Sequence, residues 1–355
     1  MILVLRAASV ALAAAALAAP PPAAEPVRVG CFFGGRGYVL FRAYRAGQFE
    51  RAGVPVAFYS RYLNRSGYEI VPRTQRRMQA MRDGEGAARY FGKVTGAQLE
   101  RELERGRFDA VTLGESAFLA AAARGAPIVA VASLAHAARG RPSEAIILRS
   151  GVVVRGPADF RGLRLASRRS SPGGESSFLR AFVRSLGLDP AKDVTLVDGV
   201  DELELRRDFR EGKIDGALCH VEMTAELLRD RLGYVYRPMD WMDPAISQAL
   251  IVFRRDFTRE RPREVAAFVS AYADEVRREA RRPEAERERE TRKGLRTTMK
   301  VAGLELPQVD DPPRVDTATL AAAQTLLVRE GALARAVDLA PFVDPRPLET
   351  ADARR

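Results

Sequence analysis

The chain has 355 residues, with 57 basic residues against 46 acidic ones for a formal net charge of +11, and 46% of it is hydrophobic. That apolar fraction excludes a wholly disordered chain, and the length points to two domains rather than one. Only five of the basic residues are lysine, and the densest charged run, Arg277 to Arg292, mixes both signs, so it reads as a solvated helix face and not as a nucleic-acid surface.

The N-terminus comes first in the chain. One arginine, Arg6, precedes an uncharged run from Ala7 to Ala19, followed by prolines and small residues. This is the layout of a secretory signal, with cleavage after Ala18 or Ala24 both open. The alanine-dominated run is too short and too weakly apolar for a membrane span. Residues 1–24 are therefore assigned as a signal peptide and the mature protein as periplasmic.

From Val27 onward short β-rich runs alternate with amphipathic segments. Val27–Phe33 is a strand leading into Gly34 and Gly35, and a helix is expected over Tyr38–Ala52. Pro55–Tyr59 is the next strand. Thr95 caps a helix running to Arg105, followed by strand Phe108–Leu113, helix Glu115–Arg124 and strand Ile128–Ser133. The rhythm then restarts with strands Ala145–Leu148 and Leu163–Ala166. Helix Glu175–Leu186, strand Val194–Val197, helix Asp201–Arg210, strand Ile214–Cys219, helix Glu222–Leu232 and strand Tyr234–Tyr236 follow. A strand at Ser247–Phe253 and helices at Arg261–Arg277 and Asp316–Glu330 complete the pattern. One unit occurs twice: Leu99 to Ala110 and Leu205 to Ala217 are each an amphipathic helix, a glycine stop, a basic residue, and an apolar-Asp-small step into a strand. The fold class is α/β, with two lobes whose sheets are mostly parallel and a cleft between them. The lobes are set at 25–143 plus 247–345 and at 144–246. Ligands of open α/β sheets bind off the carboxyl ends of the strands, beside helix N-termini.

Several stretches carry a family resemblance in order: VRVGCFFGG at 27–35, the helix-Gly-x-apolar-Asp unit at 99–113, GAPIVAVAS at 125–133, the long segment 159–197, REGKIDGAL at 210–218, and the closing segment 316–345. Together they resemble the periplasmic substrate-binding proteins of ABC importers, in the group serving nitrate, sulfonates, taurine and thiamine-precursor pyrimidines. The resemblance implies a monomeric two-lobed protein that closes on a small solute and delivers it to permease subunits, without a cofactor and without catalysis. Segment 60–94 departs from it, being longer than the family's passage between strand and helix. Two other readings stay open: an enzyme of thiamine-precursor (pyrimidine or pyridoxal) metabolism on the same fold, and a solute-sensing accessory protein.

Candidate ligand-binding residues lie at the expected carboxyl ends. Phe32, Phe33, Gly34 and Gly35 offer aromatic faces and approachable backbone amides, or form a plain turn. Gly114, Glu115 and Ser116 start a helix, as ligand contacts or as a cap. Arg168, Ser170, Ser171, Gly173 and Gly174 form a Ser/Gly-rich loop opening a helix, suited to an anionic group. His220 and Glu222 close the matching strand of the second lobe, and Trp241 packs on the ligand or in the core. His136 is read as a loop residue. Cys31 and Cys219 are expected as free, partly shielded thiols facing the cleft from opposite sides. Two cysteines and two histidines so far apart assemble no metal ligand set. Glu115, Glu175 and Glu222 favour a cationic solute group, whereas Arg168 and the Ser/Gly loop favour an anionic one.

Overall fold

The computed structural model describes residues 25–32, 35–61, 68–71, 95–137, 142–167, 174–200, 202–239, 248–295 and 300–353. The first five strands are β1 (Val27–Gly30), β2 (Val56–Arg61), β3 (Tyr68–Ile70), β4 (Ala110–Gly114) and β5 (Ile128–His136). The next five are β6 (Glu144–Arg149), β7 (Arg164–Ala166), β8 (Thr195–Val197), β9 (Gly216–His220) and β10 (Gly233–Pro238), and β11 (Gln248–Arg254) comes last. They form a six-stranded sheet in the order β3-β2-β1-β4-β11-β5 and a five-stranded sheet in the order β10-β6-β9-β7-β8.

Read from the other edge, the second sheet repeats the first without β3. The parallel block β2-β1-β4 corresponds to β8-β7-β9. The antiparallel pair β11-β5 corresponds to β6-β10. Both sheets are mixed, with four strands running one way in each: β3 and β11 oppose them in the first sheet, and β6 in the second. The reason lies in the connections: β6 and β11 are the strands by which the chain changes sheets, and each enters antiparallel to the last strand of the βαβ block it joins. The extra edge strand β3 comes from the long 60–94 segment and pairs antiparallel with β2. Tyr68 on it meets the Phe108 ring edge-on at 5.0 Å.

The duplicated sequence unit forms the same clamp in both lobes. Asp109 accepts the backbone N–H of Arg28 at 2.9 Å and the guanidinium through Nε at 3.1 Å and Nη2 at 2.7 Å. Asp215 accepts the Arg164 N–H at 3.0 Å, Nε at 2.9 Å and Nη2 at 2.9 Å. A carboxylate at the end of each glycine-stopped helix thereby staples the first strand of its lobe with charge-assisted bonds. Burial alone would raise the Asp215 carboxyl, but the hydrogen bonds from Arg164 and Arg149 outweigh it and hold it at about 2.

Helix boundaries follow their local signals. Thr95 and Gln98 form a reciprocal capping box ahead of helix Gly96–Glu104. Asp316 caps helix Thr317–Arg329 through the N–H groups of Ala318 and Thr319. The helix expected over Tyr38–Ala52 is instead two, Tyr38–Arg45 and Gln48–Arg51, because Gly47 takes a left-handed φ of 67°. The charged run 277–292 also departs from a solvated face: it is split at Pro283 between helices Pro262–Ala280 and Glu284–Leu295. Within and beside it Glu275, Glu279 and Arg292 are buried, the two glutamates on Arg42.

The larger apolar cluster fills the first sheet's core and reaches one face of the second sheet through Phe160, Phe178 and Phe182. A smaller cluster covers the other face of the second sheet. Val301 and Leu304 belong to that smaller cluster, so the C-terminal stretch, assigned above to the first lobe, packs on both sheets. Cys31 and Cys219 are free, yet neither faces a cleft. Both are fully buried, Cys31 one residue past β1 in the larger cluster and Cys219 on β9 in the smaller. Among the described residues no helix is long and apolar enough to cross a membrane.

Candidate functional site

The carboxyl ends of the two parallel blocks meet in a chain of charged side chains. After β1 a short 3-10 turn, Gly35–Gly37, carries Arg36. After β4, Gly114 caps helix Glu115–Ala123 in an extended conformation, which leaves Glu115 as the first helical residue. In the second sheet His220 ends β9 and caps helix Val221–Arg229, and Glu144 opens β6 directly opposite it. Glu175 is the first residue of helix Glu175–Ser185, preceded by Gly174 as its cap. A carboxylate in a first helical turn lies in the favourable end of the helix dipole.

Arg36 links the two sheets. Its Nη2 lies 2.6 Å from Glu144 Oε1 and its Nη1 3.8 Å from Glu115 Oε2. His220 continues the chain, with Nδ1 at 2.7 Å from Glu144 Oε1 and Nε2 at 3.5 Å from Glu175 Oε1. The carboxylates of Glu115, Glu144 and Glu175 are nearly excluded from water, while Arg36 and His220 keep about a fifth of their surface, at 16% and 22%. Burial pushes the Glu115 carboxyl up and Arg36 pulls it back, with the net shift upward. Glu115 is further held by the Ser116 hydroxyl at 3.3 Å and by the backbone N–H of Gln248 at 3.0 Å.

Of the residues singled out from sequence, the structure brings Glu115, Ser116 and His220 together with Gly114 and Gly174 as the caps beside them. Glu222 lies half-buried in the first turn behind His220. Phe32 sits in the first lobe's core, its backbone N–H on the Thr112 hydroxyl at 3.1 Å. Gly35 opens the turn that carries Arg36. Phe33, Gly34, Arg168, Ser170, Ser171, Gly173 and Trp241 lie outside the described residues. His136 is no loop residue: it ends β5 opposite Gln248, with Nε2 at 2.9 Å from Asp310.

Sequence reasoning missed Arg36, Glu144 and Gln248, while Glu175, read there as a cleft carboxylate at a helix start, does join the chain. Arg36 and Glu144 are 108 residues apart, and no local pattern announces their pairing. A signal for Glu144 did exist, since a charged residue opening an otherwise apolar strand (EAIIL) is unusual for a buried position. Among the described residues no group of three or more His, Cys, Asp and Glu side chains is placed to hold a metal ion.

Comparison with known proteins adds to this geometry. The family model described as NMT1/THI5 like matches residues 96–285, more than half of the chain. No curated protein matches the chain significantly by sequence. Among solved structures, the chain is similar to the alkanesulfonate-binding protein SsuA from Xanthomonas axonopodis pv. citri bound to MOPS, at 17% identity, a TM-score of 0.63, and coverage of 92% of this chain and 99% of that one. It is similar to the periplasmic nitrate-binding protein NrtA from Synechocystis PCC 6803 at 12% identity and a TM-score of 0.65, over 93% and 88% of the two chains. The desulfurization enzyme DSZB is similar at 14% identity and a TM-score of 0.59, over 92% and 99%. At these identities the likeness establishes the fold, a two-lobed α/β architecture shared by solute-binding proteins and at least one enzyme.

Proposed function

The chain belongs to the NMT1/THI5 like family, and from that premise we propose that it is an exported solute-binding protein of an ABC importer. It captures a small polar organic solute between its lobes and hands it to the permease. The observation that carries this reading is the charged chain Glu115–Arg36–Glu144–His220–Glu175, built from the carboxyl ends of two equivalent sheets. A site assembled equally from both lobes responds to occupancy by changing their separation, which is what a capture-and-release protein requires. The named relatives SsuA and NrtA, a sulfonate binder and a nitrate binder, support the same role. The signal-like N-terminus and those relatives support a periplasmic location. The lobes are proposed as residues 25–143 plus 247–345 and residues 144–246.

The enzyme reading draws on DSZB, but the chemistry here favours binding. The Cys31 thiol is fully buried, donates to the Tyr59 carbonyl at 3.2 Å, and burial pushes its pKa strongly up. A thiol held protonated and out of reach is no nucleophile. The carboxylates of the site are paired with Arg36 and His220.

The test is a thermal-shift screen of the purified mature protein against anionic, cationic and zwitterionic organic solutes. A ligand of the folded state at a hundredfold excess over its Kd adds about 2.7 kcal/mol of stability, a readily measured rise in Tm. A panel in which no class of solute moves the Tm would sink the reading.

A further inference from the structure

One ion pair joins the two lobes away from the charged chain. Glu330 caps the end of helix Thr317–Arg329, and its side chain is fully covered. Its Oε2 accepts the Arg184 Nε–H at 3.1 Å, and its Oε1 accepts the Arg329 Nε–H at 3.1 Å. The place suits a carboxylate poorly, because burial and the negative end of the helix dipole both act against it. A buried pair is weak evidence for stability, and its best-attested use is to fix the register of two elements.

The two arginines come from different lobes. Arg329 is the last residue of the helix itself. Arg184 stands near the end of helix Glu175–Ser185, which joins β7 to β8 in the second sheet. The helix that leads to Glu330 is anchored to the first sheet on both sides. Before it the Pro313 carbonyl accepts the Ser133 N–H at 2.9 Å, and after it the Asp344 N–H reaches the Ala130 carbonyl at 2.9 Å, both on β5. Between those anchors it packs on helix Glu115–Ala123 of the first lobe and on helix Glu175–Ser185 of the second. The stretch ahead of it lies along the passage from β5 to β6. There Glu305 donates its N–H to the Pro142 carbonyl at 2.9 Å, and Gln308 exchanges backbone bonds with His136 at 2.7 and 2.9 Å.

The apolar and ionic parts of this contact respond differently to lobe movement. Leu320, Leu326 and Leu327 share one buried cluster with Phe178 and Phe182. Apolar contact is non-directional and can slide. The Arg184–Glu330 bond is directional and forms at one register only. By the helix rise, Arg184 lies about 14 Å beyond Glu175 on the same helix, so the pair acts on lobe position without touching the charged chain.

We propose that segment 305–330 is a strap across the two lobes and that Arg184–Glu330 is its tie, which sets the balance between lobe arrangements before any solute binds. The tie is made in the arrangement of this structure, and movement of helix Glu175–Ser185 relative to β5 breaks it. This goes beyond the solute-binding reading: it requires lobes that move, but no particular solute.

Spin labels on Glu104→Cys and Arg210→Cys, exposed positions on opposite lobes, test it by the dipolar measurement of their separation in protein purified without solute. Arg184→Gln cuts the bond between lobes and leaves Glu330 paired with Arg329. Arg329→Gln cuts the bond within the first lobe and leaves the tie. Arg184→Gln should move or broaden the distance distribution, changing the ratio of lobe arrangements about two- to fivefold, as expected for an ion pair with one exposed partner. Arg329→Gln should leave the distribution as in the parent. Glu330→Gln should reproduce the Arg184→Gln distribution, and the double variant should go no further.

An unchanged distribution in Arg184→Gln would overturn the proposal. Equal changes from Arg184→Gln and Arg329→Gln would also overturn it, making Glu330 a structural carboxylate of the helix end. Since no solute is present, either result leaves the solute-binding reading to its own thermal-shift screen.

Discussion

The two lobes are alike at one end of their sheets and different at the other. At the amino ends the match runs atom by atom: Arg28 and Arg164 wrap Asp109 and Asp215 with the same three donors. The backbone N–H groups of Arg254 and Arg149 cap the carbonyls of those same aspartates at 3.0 and 2.9 Å. At the carboxyl ends almost nothing is conserved between lobes. Gly114 stands where the second lobe has His220, Glu115 where it has Val221, Cys31 where it has Ser167, and Gln248 where it has Ser143. The difference separates two demands. Closing a helix onto a strand has one good solution, used twice, whereas the proposed binding site draws different chemistry from each side.

That contrast can be broken experimentally. The largest effect is expected for Arg36→Ala, which strips the shared cation from two buried carboxylates. Losing one partner of a buried pair costs about 3–5 kcal/mol, and the remaining exposure of Arg36 puts this site toward the lower end. Urea denaturation should show it, and a loss under 1 kcal/mol (about a fivefold change in the folding constant) would remove the chain from the account.

Next come Asp109→Ala and Asp215→Ala, each removing a charge-assisted clamp worth about 2 kcal/mol to stability. The comparison requires similar losses in the two lobes, and one neutral substitution would break the equivalence. Acid titration sharpens the same point. The Asp215 carboxyl is held at about 2 in the folded state, below its ordinary 3.8. Its contribution is therefore complete above pH ~4 and lost as pH falls toward ~2. Asp215→Asn should flatten that part of the stability profile, and a profile unchanged by the substitution would refute the assignment.

The smallest effect is expected at the helix stops. Gly106 and Gly212 share left-handed φ values of 71° and 68°. Alanine at either should cost about 1 kcal/mol. Gly106→Ala should cost slightly more, since its added carbon would stand 3.0 Å from an Arg254 guanidinium nitrogen, against 3.8 Å from the Arg149 guanidinium carbon at Gly212. The reverse order in a denaturation experiment would show that the added contact is relieved by side-chain motion.

The amino-end features were legible in the sequence because they are local. Helix period, glycine stop and the aspartate before each strand fall within a dozen residues, and Thr95 and Asp316 announce their helices as caps do. The carboxyl-end chemistry was only half legible. Glu115 and His220 follow strands and stand out by type and place. Arg36 and Glu144 are joined only when two sheets are brought face to face, which no periodicity encodes. The cysteines were misplaced for a related reason. Both sit at strand ends, Cys31 just past β1 and Cys219 within β9, and position along the chain does not say whether a side chain points into the core. The reversed direction of β6 and β11 was not legible, because in sequence they look like any apolar run, while their direction is set by the crossings between lobes.

The most direct test of capture between two moving lobes is a distance measurement across them. Glu104 and Arg210 are exposed, equivalent helix ends on opposite lobes, and the native cysteines are buried beyond the reach of label. Spin labels on Glu104→Cys and Arg210→Cys report the separation by electron–electron dipolar spectroscopy. Adding a solute that raises the Tm should shift the mean distance and narrow its distribution. An identical distribution with and without that solute would contradict closure of the lobes on a ligand.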